Sequence, residues 1–164
     1  GNAKIQGIES LIDINLKQIL GLGDNYIINT FLNFSQINSK YISSDIPGIE
    51  GKQVEFVPKN NIKIGFRGGY KNFIFSYQYT YMSNQYTDAS NAITGSLSGV
   101  IGQIPSYKIS DLSFSHNIKK AKIEVGFNNI FNEKYFTRRA TGYPGPGIIP
   151  SSPRSIYLTF EYKI

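Results

Sequence analysis

The side chains best equipped to hold a ligand lie near the C-terminal end, where Arg138, Arg139 and Arg154 flank a Pro- and Gly-rich segment spanning 141–152. A guanidinium presents a planar fork of donors that matches a carboxylate two bonds at a time. Three of them beside one loop would suit a carboxylate-rich ligand. The same residues also fit a purely structural arrangement, with Arg154 anchoring the loop base and the other two solvated or paired across strands. Tyr143, in the run Tyr143-Pro144-Gly145-Pro146-Gly147, offers a large amphipathic contact with few rotors to freeze, although Pro and Gly in such a run also simply set turns.

Other chemistry finds little support. There is one His, His116, and no Cys. That removes disulfides, thiolate metal sites, Cys nucleophiles and any site built on two imidazoles. Asp88 and Asn91 are like two oxygen ligands of a Ca²⁺ loop, yet the carboxylates needed to complete about six to eight positions do not follow nearby. Gly21-Leu22-Gly23 lacks the third Gly and the helix of a dinucleotide fingerprint. No Ser–His–acid set, carboxylate pair or phosphate loop is present, so the reading includes neither catalysis, nor a metal site, nor a cofactor.

The 164 residues (18.4 kDa) are 40% hydrophobic and only 17% charged, with 12 Tyr, 11 Phe and 16 Gly. This composition argues against a disordered polyelectrolyte and against a helical membrane bundle. The net charge of +6 is spread along the chain rather than clustered, which speaks against nucleic acid as a partner. The uncharged stretches on either side of Asp88 are full of Ser, Asn, Gln and Tyr, unlike a membrane helix. The start, Gly1-Asn2-Ala3, has neither an initiator Met nor a signal sequence, so the natural N-terminus is expected upstream.

Periodicity supplies the framework. Phe73, Phe75, Tyr77, Tyr79 and Tyr81 occupy alternate positions, with Ser76, Gln78 and Thr80 among the residues between them. Ile156, Leu158, Phe160, Tyr162 and Ile164 alternate in the same way with Tyr157, Thr159, Glu161 and Lys163. This is the period-two signature of strands with one apolar face. Repeated along the chain, it predicts seven strands at roughly 3–18, 26–41, 57–70, 73–86, 105–118, 121–140 and 153–164. The connections alternate between short (21–25, 71–72, 119–120) and long (42–56, 87–104, 141–152).

Short turns at one end and long loops at the other are the habit of an outer-membrane barrel. Lipid would cover the aromatic face, and Tyr at the strand ends would sit at the interfaces. An odd number of up-and-down strands cannot close antiparallel, and an open edge in hydrocarbon costs several kcal/mol per unpaired group. Further strands are therefore expected before Gly1. Asp13, Lys63, Arg67, Lys122 and Glu124 fall on the lumen face.

The segment Val125-Gly126-Phe127-Asn128-Asn129-Ile130-Phe131-Asn132-Glu133-Lys134-Tyr135, followed by Pro153-Arg154 and a terminal amphipathic strand, resembles the C-terminal end of TonB-dependent outer-membrane receptors. Tyr135 to Gly147 resembles more narrowly the ferric-dicitrate type of the Bacteroidetes, and Asn84-Gln85-Tyr86-Thr87-Asp88 with Asn91 is also similar to that family. The resemblance implies an all-β, antiparallel up-and-down transmembrane barrel of roughly 22 strands, of which residues 1–164 supply the last seven. It further implies a plug domain and a TonB-contacting segment upstream, a TonB–ExbB–ExbD complex as energy source, the barrel-assembly machinery during insertion, outer-membrane lipid around the barrel and a ferric chelate as ligand. The lumen-face charges would then either hold the plug by ion pairs or be solvated. The competing readings are a passive porin or adhesin-anchoring barrel, which would lack the plug, and a soluble lectin-like sandwich.

Overall fold

The structure, a computed structural model, describes residues 1–142 and 145–164. Its strands are β1 (Asn2–Asn15), β2 (Tyr26–Ser43), β3 (Asn60–Tyr70), β4 (Phe73–Met82), β5 (Gln85–Tyr86), β6 (Gln103–Ile104), β7 (Tyr107–Ile118), β8 (Ala121–Asn128), β9 (Phe136–Ala140), β10 (Gly147–Pro150) and β11 (Ser155–Tyr162), with a single turn of helix, α1 (Leu16–Ile19), after β1. Seven of them form one antiparallel sheet in the order β1-β2-β3-β4-β7-β8-β11. Two small hairpins, β5-β6 and β9-β10, stand apart from it. No helix among the described residues is long and apolar enough to cross a membrane.

The seven strands expected from periodicity are all present, with corrected ends. The first was expected to reach residue 18 but stops at Asn15, whose side chain accepts from Gln18 N (3.3 Å) and starts α1. The fourth stops at Met82. There the backbone N–H of Ser83 bonds Asn60 O and its hydroxyl accepts from Asn60 N, which closes the β3–β4 pair. The sixth, expected over 121–140, ends at Asn128 because Asn129 and Asn132 both take left-handed backbone angles (φ 51° and 54°); its second half is the separate strand β9.

One face of the sheet is a continuous apolar surface. Pairing across it sets Ile28, Gly68, Phe75, Phe114, Val125 and Leu158 in one row and Tyr26, Tyr70, Phe73, His116, Ile123 and Phe160 in the next. No second layer covers these rows: Phe73 is 63% exposed and Leu158 is 72% exposed. Tyr26 and Tyr70 mark the short-turn end, with ring centroids 4.9 Å apart. Tyr79 and Tyr81 mark the other end of β4. From Phe73 to Tyr81 the strand rises about 27 Å, close to the height of the apolar band of a membrane barrel. Beyond that level β2 continues with Gln36, Asn38 and Lys40 on the same face. Polar atoms within the band are matched internally. The Tyr77 hydroxyl lies 3.0 Å from Ser110 Oγ, and Thr30 Oγ1 donates to Gly65 O at 2.9 Å.

The opposite face is polar and carries Asp13, Lys63, Arg67, Lys122 and Glu124, as expected. Lys122 pairs with Glu124 (2.8 Å) and Glu161 (3.4 Å). Two aromatic rings also lie here, each over a glycine of the neighbouring strand: Phe31 over Gly65 and Tyr157 over Gly126. A Cβ at either glycine would fall inside the ring. Phe31, which breaks the polar alternation of its strand in sequence, is therefore placed by its partner glycine, an arrangement that covers backbone a glycine leaves bare.

At the short-turn end Lys17 Nζ pairs with Asp24 Oδ1 at 2.8 Å, linking α1 to the turn before β2. The hydrogen bond and the charge of Lys17 hold the Asp24 carboxyl below its ordinary range. The link is thus complete at neutral pH and is lost only as pH falls through that lowered value.

Replacing Gly65 by Ala should cost about 1–3 kcal/mol by overpacking against Phe31, read as a reduced yield of heat-modifiable, membrane-inserted protein. Adding Phe31→Ala to the same chain should restore part of that yield. Equal yields from the single and double variants would contradict the stacking account.

Candidate functional site

The three long connections all leave the sheet at one end, opposite the tight turns, and they are bonded to one another. Residues 44–59 meet residues 83–106 through a reciprocal pair of bonds: Gln53 N donates to Asn91 Oδ1 (2.7 Å), and Asn91 Nδ2 donates to Gln53 O (2.8 Å). Phe56 N donates to Tyr86 O at 2.9 Å. The β5-β6 hairpin is locked by the Thr87 hydroxyl, which donates to Gly102 O and accepts from Gly102 N (3.1 and 3.0 Å). Gly102 is required there, since its φ is 140° and a Cβ would come within 2.9 Å of Gly95 Cα.

Arg139 ties this assembly to the last connection. Its guanidinium donates from Nη1 to Gly99 O (2.8 Å), from Nη2 to Gln103 O (2.9 Å) and from Nε to the same oxygen (3.3 Å). It also lies 5.1 Å from the Phe136 ring centroid. Arg138 and Arg139 are neighbours on β9, paired with Ile149 and Ile148 of β10, so their side chains leave opposite faces of the hairpin. Arg138 is exposed, and no hydrogen bond or ion pair engages it among the described residues. Arg154 Nη1 donates to Ile130 O at 3.4 Å, and its backbone N–H donates to Asn132 Oδ1 at 3.1 Å. The three arginines thus surround one loop but are differently employed: Arg139 clamps carbonyls, Arg154 braces the loop base, and Arg138 faces outward. Tyr143 lies outside the described residues.

Asn129, only 3% exposed, organises that base. Its side chain accepts from Glu133 N (2.8 Å) and donates to Glu133 O (2.9 Å) and Ser152 O (3.4 Å), while its backbone N–H donates to Asp111 Oδ1 (2.8 Å). An Asn suits both demands, a left-handed backbone and a local hydrogen-bonding side chain. The sequence marks Asn129 as part of a motif without revealing this task. Phe56 is exposed with φ 56°, a left-handed backbone that a Phe side chain does not favour and that its residue type therefore does not announce. The amide of Asn91 is spent on Gln53, and Asp88 Oδ2 accepts from Ser90 N at 3.0 Å. Among the described residues no group of three or more His, Cys, Asp or Glu gathers as a metal site. His116 stacks on Phe73 on the apolar face, with centroids 3.9 Å apart.

An uncovered aromatic sheet, paired girdle tyrosines and loops confined to one end define a membrane β-barrel wall. The chain belongs to the TonB-dependent receptor-like β-barrel family, whose model matches residues 1–130. Its place is the bacterial outer membrane, and the family is one of receptors rather than of enzymes. Among solved structures, the chain is similar to the ferric citrate transporter FecA (22% identity, TM-score 0.82, covering 98% of this chain and 24% of that one). It is also similar to the ferric yersiniabactin uptake receptor FyuA from Yersinia pestis (16%, 0.74, 98% and 23%) and to the siderophore receptor PiuA from Acinetobacter baumannii (20%, 0.71, 98% and 22%). At these identities the likeness is one of fold, and the chain spans about a quarter of the length of those proteins. A search of curated proteins finds no significant match.

Hydrogen bonds to a charged group are worth about 1.5–3 kcal/mol each. Arg139→Ala should therefore open residues 93–101 to external protease on intact cells at least about tenfold faster. Arg138→Ala should leave that cleavage unchanged. Equal protection in both variants would show that Arg139 does not hold the loop.

Proposed function

We propose that the chain is the C-terminal part of the barrel of a receptor for active uptake of a ferric chelate, with the plug and the TonB-contacting segment carried upstream. The observation that carries this reading is the family match over residues 1–130. Likeness in fold to receptors named for ferric citrate, ferric yersiniabactin and siderophores supports the choice of cargo class. In this reading the chelator holds the iron and the protein holds the chelator.

The loop end is where such a ligand would arrive. Arg138 offers an outward-facing guanidinium with all its donors available to a carboxylate-rich chelate. Arg139 serves the same site by fixing the loop beside it, Arg154 supports the base, and Tyr143 contributes an aromatic contact. Capture at the loops is followed by release through the lumen when the TonB–ExbB–ExbD complex acts on the plug. Insertion by the barrel-assembly machinery and a coat of outer-membrane lipid complete the partners.

The test uses the full receptor with ferric citrate as the probe. Arg138→Ala should weaken binding about ten- to a hundredfold, the worth of one charge-assisted contact. Arg139→Ala should weaken it through loss of loop order. Unchanged affinity in both variants would contradict the arginine site. Uptake of ferric citrate that persists without an energised inner membrane would favour a passive porin.

A further inference from the structure

The apolar face is not smooth. Near the short-turn end a groove of about 470 Å³ is lined by Gly68, Phe73, Phe75, Phe114, His116 and Ile123, where Gly68 puts no side chain beside the packed rings of Phe73 with His116 and Phe75 with Phe114. All of these residues belong to the face that meets lipid. The volume is within the range of a ligand pocket, of the order of 300–1,000 Å³.

Lysines are concentrated on the two turns that border this end of the groove. Lys71 Nζ stands 5.2 Å from the centroid of Tyr70, which also lines the groove. The turn carrying Lys71 lies beside the one carrying Lys119 and Lys120, because Asn117 N donates to Asn72 O at 2.9 Å. The acidic residues of this end are already engaged: Asp24 pairs with Lys17, and Glu124 and Glu161 pair with Lys122 on the polar face. Among the described residues, none of Lys71, Lys119 and Lys120 has a carboxylate within ion-pair distance.

We propose that this groove and its lysine rim bind one anionic glycerophospholipid of the periplasmic leaflet, an acyl chain lying along the groove and the phosphate meeting Lys71, Lys119 and Lys120. Short turns face the periplasm in this class of barrel, which sets the site in the phospholipid leaflet and away from lipopolysaccharide. Each lysine near an anionic lipid surface adds attraction, and the fixed groove converts a diffuse preference into a defined site.

The experiment is native mass spectrometry of the full receptor released from detergent containing equal amounts of phosphatidylglycerol and phosphatidylethanolamine with matched chains, and lipid A. The intact protein should retain phosphatidylglycerol over phosphatidylethanolamine by about tenfold or more. In Lys71→Asn/Lys119→Asn/Lys120→Gln that ratio should fall to within about twofold of unity; Asn is chosen at Lys71 and Lys119, whose φ angles are 53° and 51°. Gly68→Leu, or Val125→Phe as a second way of filling the groove, should reduce retention of both phospholipids. Heat-modifiable mobility shows which variants are folded. Equal retention by the intact protein, preference for lipid A, a headgroup preference that survives the lysine changes, or undiminished retention with the groove filled would each overturn the proposal.

Discussion

A strand that crosses hydrocarbon has no water to hydrogen-bond its backbone, so each N–H and C=O in the bilayer must find a partner on a neighbouring strand. The six ladders joining β1 through β11 meet that demand across the sheet, and the remaining features of the wall follow from it. Once pairing is fixed, alternate side chains must face lipid or lumen, and a register slip of one residue would exchange the two sets. The aromatic rows, the matched hydroxyls of Tyr77 and Thr30, and the polar lumen face are consequences of one register held over seven strands. β1 and β11 each have a single neighbour in the sheet, and the same demand applies to their outer edges.

The two ends of the wall are built for different tasks. At the short-turn end, turns such as Lys71-Asn72 and Lys119-Lys120 do no more than reverse the chain and present charge. At the other end the loops are bonded to each other, through Gln53–Asn91 and through Arg139, as well as to the sheet. A ligand meeting them encounters a partly organised surface, which reduces the ordering cost of binding. Asn129 and Arg154 connect that surface to the rigid strands beneath.

Period-two alternation made the seven strands and their faces legible, because lipid and lumen impose opposite preferences on successive residues. Strand ends were less legible, since they depend on single hydrogen bonds. The cap at Asn15, the closure at Ser83 and the left-handed turn at Asn129 leave no mark on hydropathy. The sixth strand ends at Asn128 although the alternation beyond it is good enough to pass as a continuation. Phe31 looked like an exception in sequence because its reason, Gly65, lies on another strand. The arginines were identifiable by type, and a strand over 121–140 already sends the adjacent Arg138 and Arg139 to opposite sides; which of them reaches the carbonyls of Gly99 and Gln103 depends on a distant loop and is not written in that segment. The motif that carried the resemblance lies mostly beyond residue 130, whereas the family model matches residues 1–130, so motif and model support the same family from largely different parts of the chain.

The central claim is that the aromatic face of the sheet meets lipid and the polar face meets water. This chain contains no cysteine, which permits a direct measurement: single Cys replacements at each position from Phe73 to Tyr81 in the full receptor, with any cysteine elsewhere in it replaced by Ser, in native membranes, probed with a water-soluble maleimide and with a lipid-dissolved quencher of an attached fluorophore. The account predicts strict alternation, with positions 73, 75, 77, 79 and 81 quenched from the lipid and positions 74, 76, 78 and 80 shielded from it. Uniform maleimide labelling along β4, or quenching without period two, would contradict it.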